Sequence, residues 1–337
     1  MKILLTGAGG FLGQRLVYSL AMAGATVLRL HYRRLPSAAQ MDALRAELAG
    51  CEVEFRAANL TGRADLPALV EGVDCIVHAA AGMRGAAADM FANTVVATRN
   101  LLDAAVAAKV RRFVLVSSFA VYRTAELADG ASVDEHTPLE DIGLGKGAYG
   151  FAKTRQEQLF QRYRREHGFE GIVLRPGVIY GPGGGALSPR VGLRAMGVFF
   201  ALGGSVTLPL THVENCADAI ALAALKAADG SSFSVVDDDL PSCAGYFREY
   251  RQHVQRMHWL PVPKFAFRLG ARLLERYHHY SKGQLPAVFT PYLVRSMYRD
   301  FRYSNAALKA LGWRPRVATV DGIDGFFAHL AREAGRT

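Results

Sequence analysis

Two side chains in the segment GKGAYGFAKTRQE could take part in proton transfer, Tyr149 and Lys153. They stand four residues apart, a spacing that places both on one face of a helix. A phenol can donate or accept a proton, and an ammonium beside it favours the phenolate and lowers the pKa of the phenol. Most such pairs lie on solvated helix faces, so the rest of the chain must decide whether this one is functional.

The first half of the chain shows which strands and helices must position this pair. Apolar runs of strand length alternate with Ala- and Leu-rich stretches of helical periodicity. This alternation predicts parallel strands joined by crossover helices, that is, a doubly wound α/β sheet of the Rossmann type. We predict strands at KILLT, TVLRL, EVEF, DCIVHAA, RFVLVSS, GIVLR and SFSVVD.

The remaining segments are richer in Pro, Arg and aromatic residues, which predicts a smaller lobe interleaved with the sheet domain. We predict a dinucleotide-binding domain at residues 1–176 and 215–239, and a substrate-binding lobe at residues 177–214 and 240–337. Ligands of open α/β sheets bind beyond the carboxyl ends of the strands, so functional residues should follow the strands directly.

The composition argues against several classes of protein. Of 337 residues, 50% are hydrophobic and 21% charged, and no apolar run is long enough to cross a bilayer. The cysteines and histidines show no metal-ligand spacing, and no dense basic run indicates nucleic-acid binding. The start MKILLTGAGG lacks the apolar core of a signal peptide, so we expect a cytoplasmic protein. The net charge of +10 suggests an anionic ligand, an acidic partner or a membrane surface.

A glycine-rich turn follows the first predicted strand. Gly7, Gly10 and Gly13 are spaced three apart, and an amphipathic helix begins within this turn. Glycine lets the backbone turn sharply and approach a diphosphate, which then meets the amide end of the helix. Between a strand at the extreme N-terminus and a helix, this pattern predicts a dinucleotide-binding site.

The end of the second strand indicates which dinucleotide is bound. An NAD site usually places Asp or Glu there to hold the ribose hydroxyls. Here His31 stands near that position, with Arg33 and Arg34 beyond it. Two guanidiniums without a carboxylate favour a 2′-phosphate, so we predict NADP(H) as the preferred cofactor and NAD(H) as the alternative. The other interpretation of this pair is two solvated arginines on a loop.

The glycine turn, VSSFAVY and Tyr149-x-x-x-Lys153 together resemble the extended short-chain dehydrogenase/reductase superfamily, in its NAD(P)-dependent epimerase/dehydratase family. The resemblance is specific through about residue 220, and it implies catalytic roles for Ser118, Tyr149 and Lys153. It also implies a cofactor site to which HAAA and LRPGVIYGPG contribute. The expected cofactor contacts are Gly7, Gly10, Phe11, Leu12, Gly13, Arg33, Arg34, Asn59, Leu60, Ala79, Ala80, Lys153, Pro176 and Val178.

The resemblance further implies how these residues act. Lys153 is expected to hold the nicotinamide ribose, and Ser118 to hydrogen-bond the substrate oxygen. Hydride transfer then belongs to the cofactor, while the protein supplies position and the proton. One departure is Asn59, where the family usually has Asp; its side chain can still accept a hydrogen bond from the adenine amino group.

Two functional classes remain open: a carbonyl or alcohol oxidoreductase, and a nucleotide-sugar epimerase or dehydratase. The sugar-nucleotide branch commonly has Asn and Arg where this chain has Val178 and Leu208. An unpaired diphosphate in an apolar pocket would be costly, so these residues favour a mostly apolar ketone or secondary alcohol. The chain looks closest to the 3β-hydroxysteroid dehydrogenase-like branch and related ketone reductases. The expected substrate contacts are Met83, Arg84, Phe119 and Leu208.

Further residues bear on the alternative functional classes and on the oligomeric state. Arg84 or Arg190 could hold a substrate anion, so the sugar-nucleotide class is retained. A non-catalytic cofactor-binding protein is disfavoured, because Ser118, Tyr149 and Lys153 are all present. The family resemblance implies a homodimer.

The segment PKFAFRLGARLLERYHHY has the pattern of a basic amphipathic helix. A basic residue recurs every four positions from Lys264 to Arg276, with Leu269 and Leu273 beside this row. A basic amphipathic helix can lie on anionic lipid, so residues 264–280 suggest a peripheral membrane contact. The compact, proline-punctuated lobe favours the alternative, a lid helix over the substrate site.

Overall fold

The computed structural model describes residues 1–83, 85–280 and 290–335. Its strands are β1 (Lys2–Thr6), β2 (Val27–Tyr32), β3 (Glu52–Ala57), β4 (Cys75–His78), β5 (Arg112–Val116), β6 (Ser132–Val133), β7 (Glu170–Pro176), β8 (Val178–Tyr180), β9 (Gly192–Ala195), β10 (Val198–Ala201), β11 (Leu210–His212), β12 (Ser232–Val235), β13 (Trp259–Pro261) and β14 (Arg302–Tyr303). Its α-helices are α1 (Phe11–Met22), α2 (Ala38–Glu47), α3 (Leu66–Val70), α4 (Ala87–Phe91), α5 (Ala97–Ala107), α6 (Gly147–His167), α7 (Val213–Lys226), α8 (Cys243–His253), α9 (Lys264–Tyr280), α10 (Pro291–Tyr298), α11 (Ala306–Ala310) and α12 (Thr319–Glu333).

The central sheet has seven parallel strands in the order β12-β7-β5-β4-β1-β2-β3. The seven segments predicted as strands all belong to it, so the doubly wound α/β class is confirmed. The chain runs outward from β1 to β3 and then returns to the other side of β1, so the loops after β1 and β4 lie side by side. The register pairs Thr6 with His78 at this carboxyl edge, where such folds bind ligands.

Helices cover both faces of the sheet. Leu5 and Val77 lie in one buried cluster with residues of α1 and α7. Leu4 and Ile76 lie in the opposite cluster with residues of α5 and α6. Successive strand residues are therefore buried on alternate faces, which explains why the strands read as nearly continuous apolar runs.

A further cluster lies outside the central sheet. It joins side chains of β8, β10, α8 and α12, among them Tyr180, Phe199, Phe247 and Phe326. Two small sheets accompany it, one of β9, β10 and β13 and one of β8 and β11. Within the described part of the chain, no helix combines the length and the apolar character that a membrane crossing requires.

A buried ion pair fixes α6 against the sheet. The Arg175 Nη2 on β7 lies 2.6 Å from Glu157 Oε1 on α6, and the two side chains are 4% and 2% exposed. Ser117, which follows β5, donates a hydrogen bond of 2.5 Å to the second carboxylate oxygen, Glu157 Oε2. Both oxygens thus have a partner, the condition under which a buried carboxylate is tolerated. The contacts set the depth and rotation of α6.

Candidate active site

Ser118 and Tyr149 meet at the carboxyl end of β5. Ser118 lies just beyond that strand in extended conformation, and Tyr149 lies in the first turn of α6. The Ser118 hydroxyl lies close enough to the Tyr149 phenol to act on its pKa, and Ser118 Oγ accepts a hydrogen bond of 3.2 Å from the Ala120 N–H. Both residues are half-buried. Two hydroxyls in this arrangement can bind a carbonyl oxygen and give it a proton.

The pKa of Tyr149 shifts opposite to expectation. The sequence predicts a lowered pKa, because the ammonium of Lys153 follows one turn later. In the structure burial raises this pKa, and the neighbouring Ser118 hydroxyl opposes the rise without cancelling it. The predicted lowering is therefore wrong, since desolvation of the phenol has the larger effect. The Tyr149 phenol is therefore protonated at neutral pH, the form that a proton donor requires, and the raised pKa makes it a weaker acid than a free phenol.

Lys153 lies one turn after Tyr149 and is 4% exposed. Its Nζ donates hydrogen bonds of 2.9 Å to the Val116 carbonyl and to Gln156 Oε1. Burial lowers its pKa to about 8, and the carboxylate of Glu157 opposes this effect. An ammonium has three N–H donors, so the third is left for a ligand.

Gln156 begins a chain of buried hydrogen bonds that leads away from Lys153. Gln156 Nε2 donates to Thr98 Oγ1 at 2.8 Å, and Thr98 Oγ1 donates to the Thr94 carbonyl at 2.5 Å. Because the Thr98 hydroxyl proton is used there, the oxygen accepts from His78 Nε2, which lies 2.8 Å away. This requirement assigns the Nε2-protonated tautomer to His78.

His78, the last residue of β4, connects the chain to Thr6 at the end of β1. Its Nδ1 accepts a hydrogen bond of 2.7 Å from Thr6 Oγ1, and Thr6 Oγ1 itself accepts one of 3.4 Å from the Ala80 N–H. Burial lowers the pKa of His78 to about 3, so the ring is neutral at physiological pH. The chain thus connects Lys153 with the loops that carry Gly7 and Ala80.

The hydrogen-bonded chain from Lys153 to Thr6 is not predicted by any pattern in the sequence. Gln156 lies three residues after Lys153 on the same helix, and His78 begins the HAAA segment of the expected cofactor site, but neither signal predicts a hydrogen-bonded chain. Thr6, His78 and Thr98 are isolated polar residues in apolar segments. A buried polar residue usually has a hydrogen-bond partner, and this rule could have marked them as a group worth examining.

The glycine turn forms a cradle because side chains are missing from it. A Cβ on Gly13 would lie 1.9 Å from the Gly7 carbonyl oxygen, and Gly7 has a φ of +78°. Gly10, which precedes α1, provides no side-chain cap, so the amides of the first helical turn can bond an anion. A Cβ on Gly7 would also lie 3.0 Å from the Ala80 nitrogen, which leaves little space between the two loops. This cradle fits the diphosphate of a dinucleotide.

The residues at the end of β2 separate into a buried and an exposed group. His31 is 5% exposed, and its Nε2 lies 3.0 Å from a backbone carbonyl oxygen; burial lowers its pKa. The ring of Tyr32 lies against the glycine turn. Arg33 and Arg34 are exposed beyond the strand, and the Arg33 guanidinium donates a hydrogen bond of 3.1 Å to Asn93 Oδ1.

Other expected cofactor contacts follow the strands of the sheet. Asn59 Oδ1, after β3, accepts hydrogen bonds of 3.1 and 2.8 Å from the Thr61 N–H and hydroxyl. Leu60 beside it is 6% exposed. Pro176 ends β7, and Val178 begins β8 two residues later. The ring of Phe11, in the first turn of α1, packs against the loop at 183–184, and Leu12 packs against the core beneath the turn.

The expected substrate contacts differ in exposure. Met83 is 63% exposed, whereas Phe119 is 6% exposed and stacks on Tyr303 with ring centroids 5.6 Å apart. Leu208 is 1% exposed and lies in the cluster that joins β8, β10, α8 and α12. Arg84 lies outside the described residues. The roles of these four residues stay predictions.

Comparison with known proteins decides the family. The model of the NAD dependent epimerase/dehydratase family matches residues 3–236. The chain belongs to this family. A 2-alkyl-3-oxoalkanoate reductase of Stenotrophomonas maltophilia is 31% identical over 348 residues, which cover 96% of this chain and 97% of the relative. A 4-hydroxy-2-methyl-3-oxo-4-farnesyl-3,4-dihydroquinoline-1-oxide ketoreductase of Stigmatella aurantiaca is 30% identical over 244 residues, with coverage of 70% and 68%.

The solved structures agree on the fold. A UDP-glucuronic acid 4-epimerase from Bacillus cereus in complex with NAD matches with a TM-score of 0.69 and 18% identity, over 99% of both chains. At this identity the likeness shows the fold alone. With the family and its relatives, the chain is an NAD(P)-dependent enzyme of the extended short-chain dehydrogenase/reductase type, as the sequence predicts.

The contact between Gln156 and Lys153 predicts an effect on the pH dependence of activity. In Gln156→Leu the ammonium loses an acceptor, so the pKa of Lys153 should fall below its value of about 8. Loss of the charged form then begins at lower pH. The alkaline limb of kcat/KM for carbonyl reduction should move down by about one unit, the equivalent of one charged hydrogen bond.

The measurement is kcat/KM against pH for the parent and the variant. Gln158→Leu serves as the control, because Gln158 bonds the backbone at Glu140 and Asp141 instead of Lys153. Superimposable profiles for all three proteins would contradict the link between Gln156 and the charge of Lys153.

Proposed function

We propose that the protein is an NADP(H)-dependent oxidoreductase that interconverts a ketone and a secondary alcohol on a mostly apolar substrate. The observation that carries the proposal is that Ser118 and Tyr149 lie side by side at the carboxyl end of β5, with the buried Lys153 on the same helix as Tyr149. The reductase and ketoreductase relatives support the reaction type. A nucleotide-sugar epimerase or dehydratase is the second candidate, because the description of the family names these activities.

Each of the three residues has a distinct role in reduction. The Ser118 hydroxyl binds and orients the substrate oxygen. Tyr149, whose pKa is raised, donates the proton that this oxygen needs. The third N–H of Lys153 holds the ribose next to the nicotinamide, and its charge favours the phenolate left after proton transfer. When bound, the nicotinamide supplies the hydride or accepts it in the reverse direction.

The cofactor site extends along the carboxyl edge of the sheet. The glycine turn and the amides at the start of α1 bind the diphosphate. The loop after β3 contacts the adenine, and the loops after β4 and β7 contact the nicotinamide half. The residues proposed for these contacts are Gly7, Gly10, Phe11, Leu12, Gly13, Asn59, Leu60, Ala79, Ala80, Pro176 and Val178.

The proposed substrate contacts are Met83, Arg84, Phe119 and Leu208, with Val178 beside the nicotinamide.

We also propose a division of the chain into two parts. The cofactor domain comprises residues 1–176 and 215–239, and the substrate lobe comprises residues 177–214 and 240–337. Packing supports the division, because α7 shares a cluster with the sheet while β8, α8 and α12 share another. By analogy with the family, we propose a cytoplasmic homodimer.

The preference for NADP(H) predicts how two arginines affect cofactor binding. In the variant Arg33→Ala/Arg34→Ala, NADPH should bind on the order of 10- to 100-fold more weakly, because the 2′-phosphate loses charged hydrogen bonds. NADH has no such phosphate, and its affinity should stay constant. Fluorescence titration measures both, and Arg45→Ala on α2 is a matched control. Tighter binding of NADH by the parent, with no change in the double variant, would refute the preference.

The substrate class is tested by following NADPH and NADH oxidation with ketones of graded apolar size, alongside UDP- and dTDP-sugars. Activity should rise with apolar size, since each buried CH₂ contributes about 0.8 kcal/mol. Ser118→Ala should abolish most of it, which shows that the activity belongs to this site. Saturable binding of a UDP-sugar, with an epimerised or dehydrated product and no ketone reduction, would favour the second candidate instead.

A further inference from the structure

A row of apolar side chains on α9 faces solvent. Phe265, Leu269, Leu273 and Tyr277 recur every four residues and are 75%, 54%, 58% and 49% exposed. Tyr280 extends the row and is 83% exposed. A continuous apolar row of this kind, bordered by charge, marks an interaction surface more often than it marks ordinary protein surface.

The opposite face of α9 attaches the helix to the protein. Ala271 is 2% exposed within a cluster that includes Val294 and Tyr298 of α10. Phe267 meets the ring of Tyr298 edge-on, with centroids 5.0 Å apart. Attachment therefore uses a different face from the apolar row, which points outward and is left for another surface.

A basic row runs directly beside the apolar row. Lys264, Arg268, Arg272 and Arg276 are all exposed, and each precedes a member of the apolar row by one position. Glu275 is the acidic residue of this helix. The outward half of α9 is therefore apolar along one side and cationic along the other, which is the pattern of a helix that lies in a membrane interface.

The basic row continues into a cavity. Arg268 and Arg272 line a cavity of about 270 Å³ together with Arg295 of α10 and Arg299 just after it, and Asp129 is the acidic residue in its lining. The Arg299 Nε lies 4.0 Å from Asp129 Oδ1, and the lining as a whole holds one carboxylate and four guanidiniums. A cavity with this excess of positive charge attracts phosphate groups.

We propose that α9 and this arginine cavity dock the protein on an anionic lipid surface. The apolar row enters the boundary between headgroups and acyl chains, and the basic row and the cavity contact lipid phosphates. Charge favours this occupant over a second copy of the chain, which would bring the same cations together. The net charge of +10 acts in the same direction. Docking is independent of the proposed reaction, because it needs neither cofactor nor substrate.

The test uses the full chain with phosphatidylcholine vesicles, prepared with or without phosphatidylserine, and measures the bound fraction by co-sedimentation. We expect binding to the anionic vesicles at low salt, weaker binding at high salt, and little binding to the neutral vesicles. Absence of binding to the anionic vesicles at low salt would overturn the proposal.

Variants that remove two positive charges test whether the vesicles bind at α9 or are attracted by the net charge of the whole protein. Arg268→Gln/Arg272→Gln should reduce the affinity for anionic vesicles by on the order of 10- to 30-fold. Arg162→Gln/Arg248→Gln is the matched control, because it removes the same charge from side chains that are 55% and 70% exposed elsewhere. An equal loss in both double variants would show attraction by net charge alone and would overturn the assignment to α9.

Variants that replace apolar side chains by Ser test whether the apolar row of α9 enters the lipid. Leu269→Ser/Leu273→Ser should weaken vesicle binding by on the order of 10-fold or more. Met22→Ser/Met196→Ser, at positions 79% and 99% exposed, should bind like the parent. Thermal unfolding checks that all variants fold. If Leu269→Ser/Leu273→Ser lowers turnover of a water-soluble ketone while vesicle binding is unchanged, α9 is a lid helix and the proposal is overturned.

Discussion

The attachment of α6 to the ends of β5 and β7 is the constraint on which the rest of the site depends. Glu157 is buried between Arg175 and Ser117, with contacts of 2.6 and 2.5 Å. Removing one member of such a pair leaves a buried charge without compensation and costs about 3–5 kcal/mol, so α6 cannot easily slide or rotate. Lys153 and Tyr149 lie one and two turns before Glu157, and the same attachment therefore positions both.

Burial shifts the pKa values of Tyr149 and Lys153 in opposite directions. Burial disfavours the charged form of either group, so it raises the pKa of Tyr149 and lowers that of Lys153 to about 8. At neutral pH the site then contains a phenol with a proton to donate and an ammonium that is still charged. The contact with Gln156 limits the fall in the pKa of Lys153, and the chain through Thr98 and His78 fixes Gln156 in turn.

Features that leave a pattern among neighbouring residues could be predicted from the sequence alone. The strands were predicted because buried parallel strands read as continuous apolar runs, and the pair of Tyr149 and Lys153 because helical spacing is visible in the sequence. The chain from Gln156 to Thr6 was missed, since its members are far apart in the sequence and leave no shared pattern. Spacing showed the ammonium near Tyr149 but not the burial of the phenol, so the direction of its pKa shift was predicted wrongly. Likewise, spacing showed two rows on α9 but not which face points outward.

Whether Tyr149 donates the proton at the end of β5 is measured most directly by comparing the turnover of Tyr149→Phe with that of Tyr163→Phe. Both variants remove a phenol oxygen from α6, but Tyr163 bonds Asp103 at 2.6 Å, away from the site. Tyr149→Phe should lose turnover by on the order of 10² to 10⁴ with cofactor affinity retained, and Tyr163→Phe should turn over like the parent. A Tyr149→Phe enzyme that keeps more than about half of the parent rate would contradict the account.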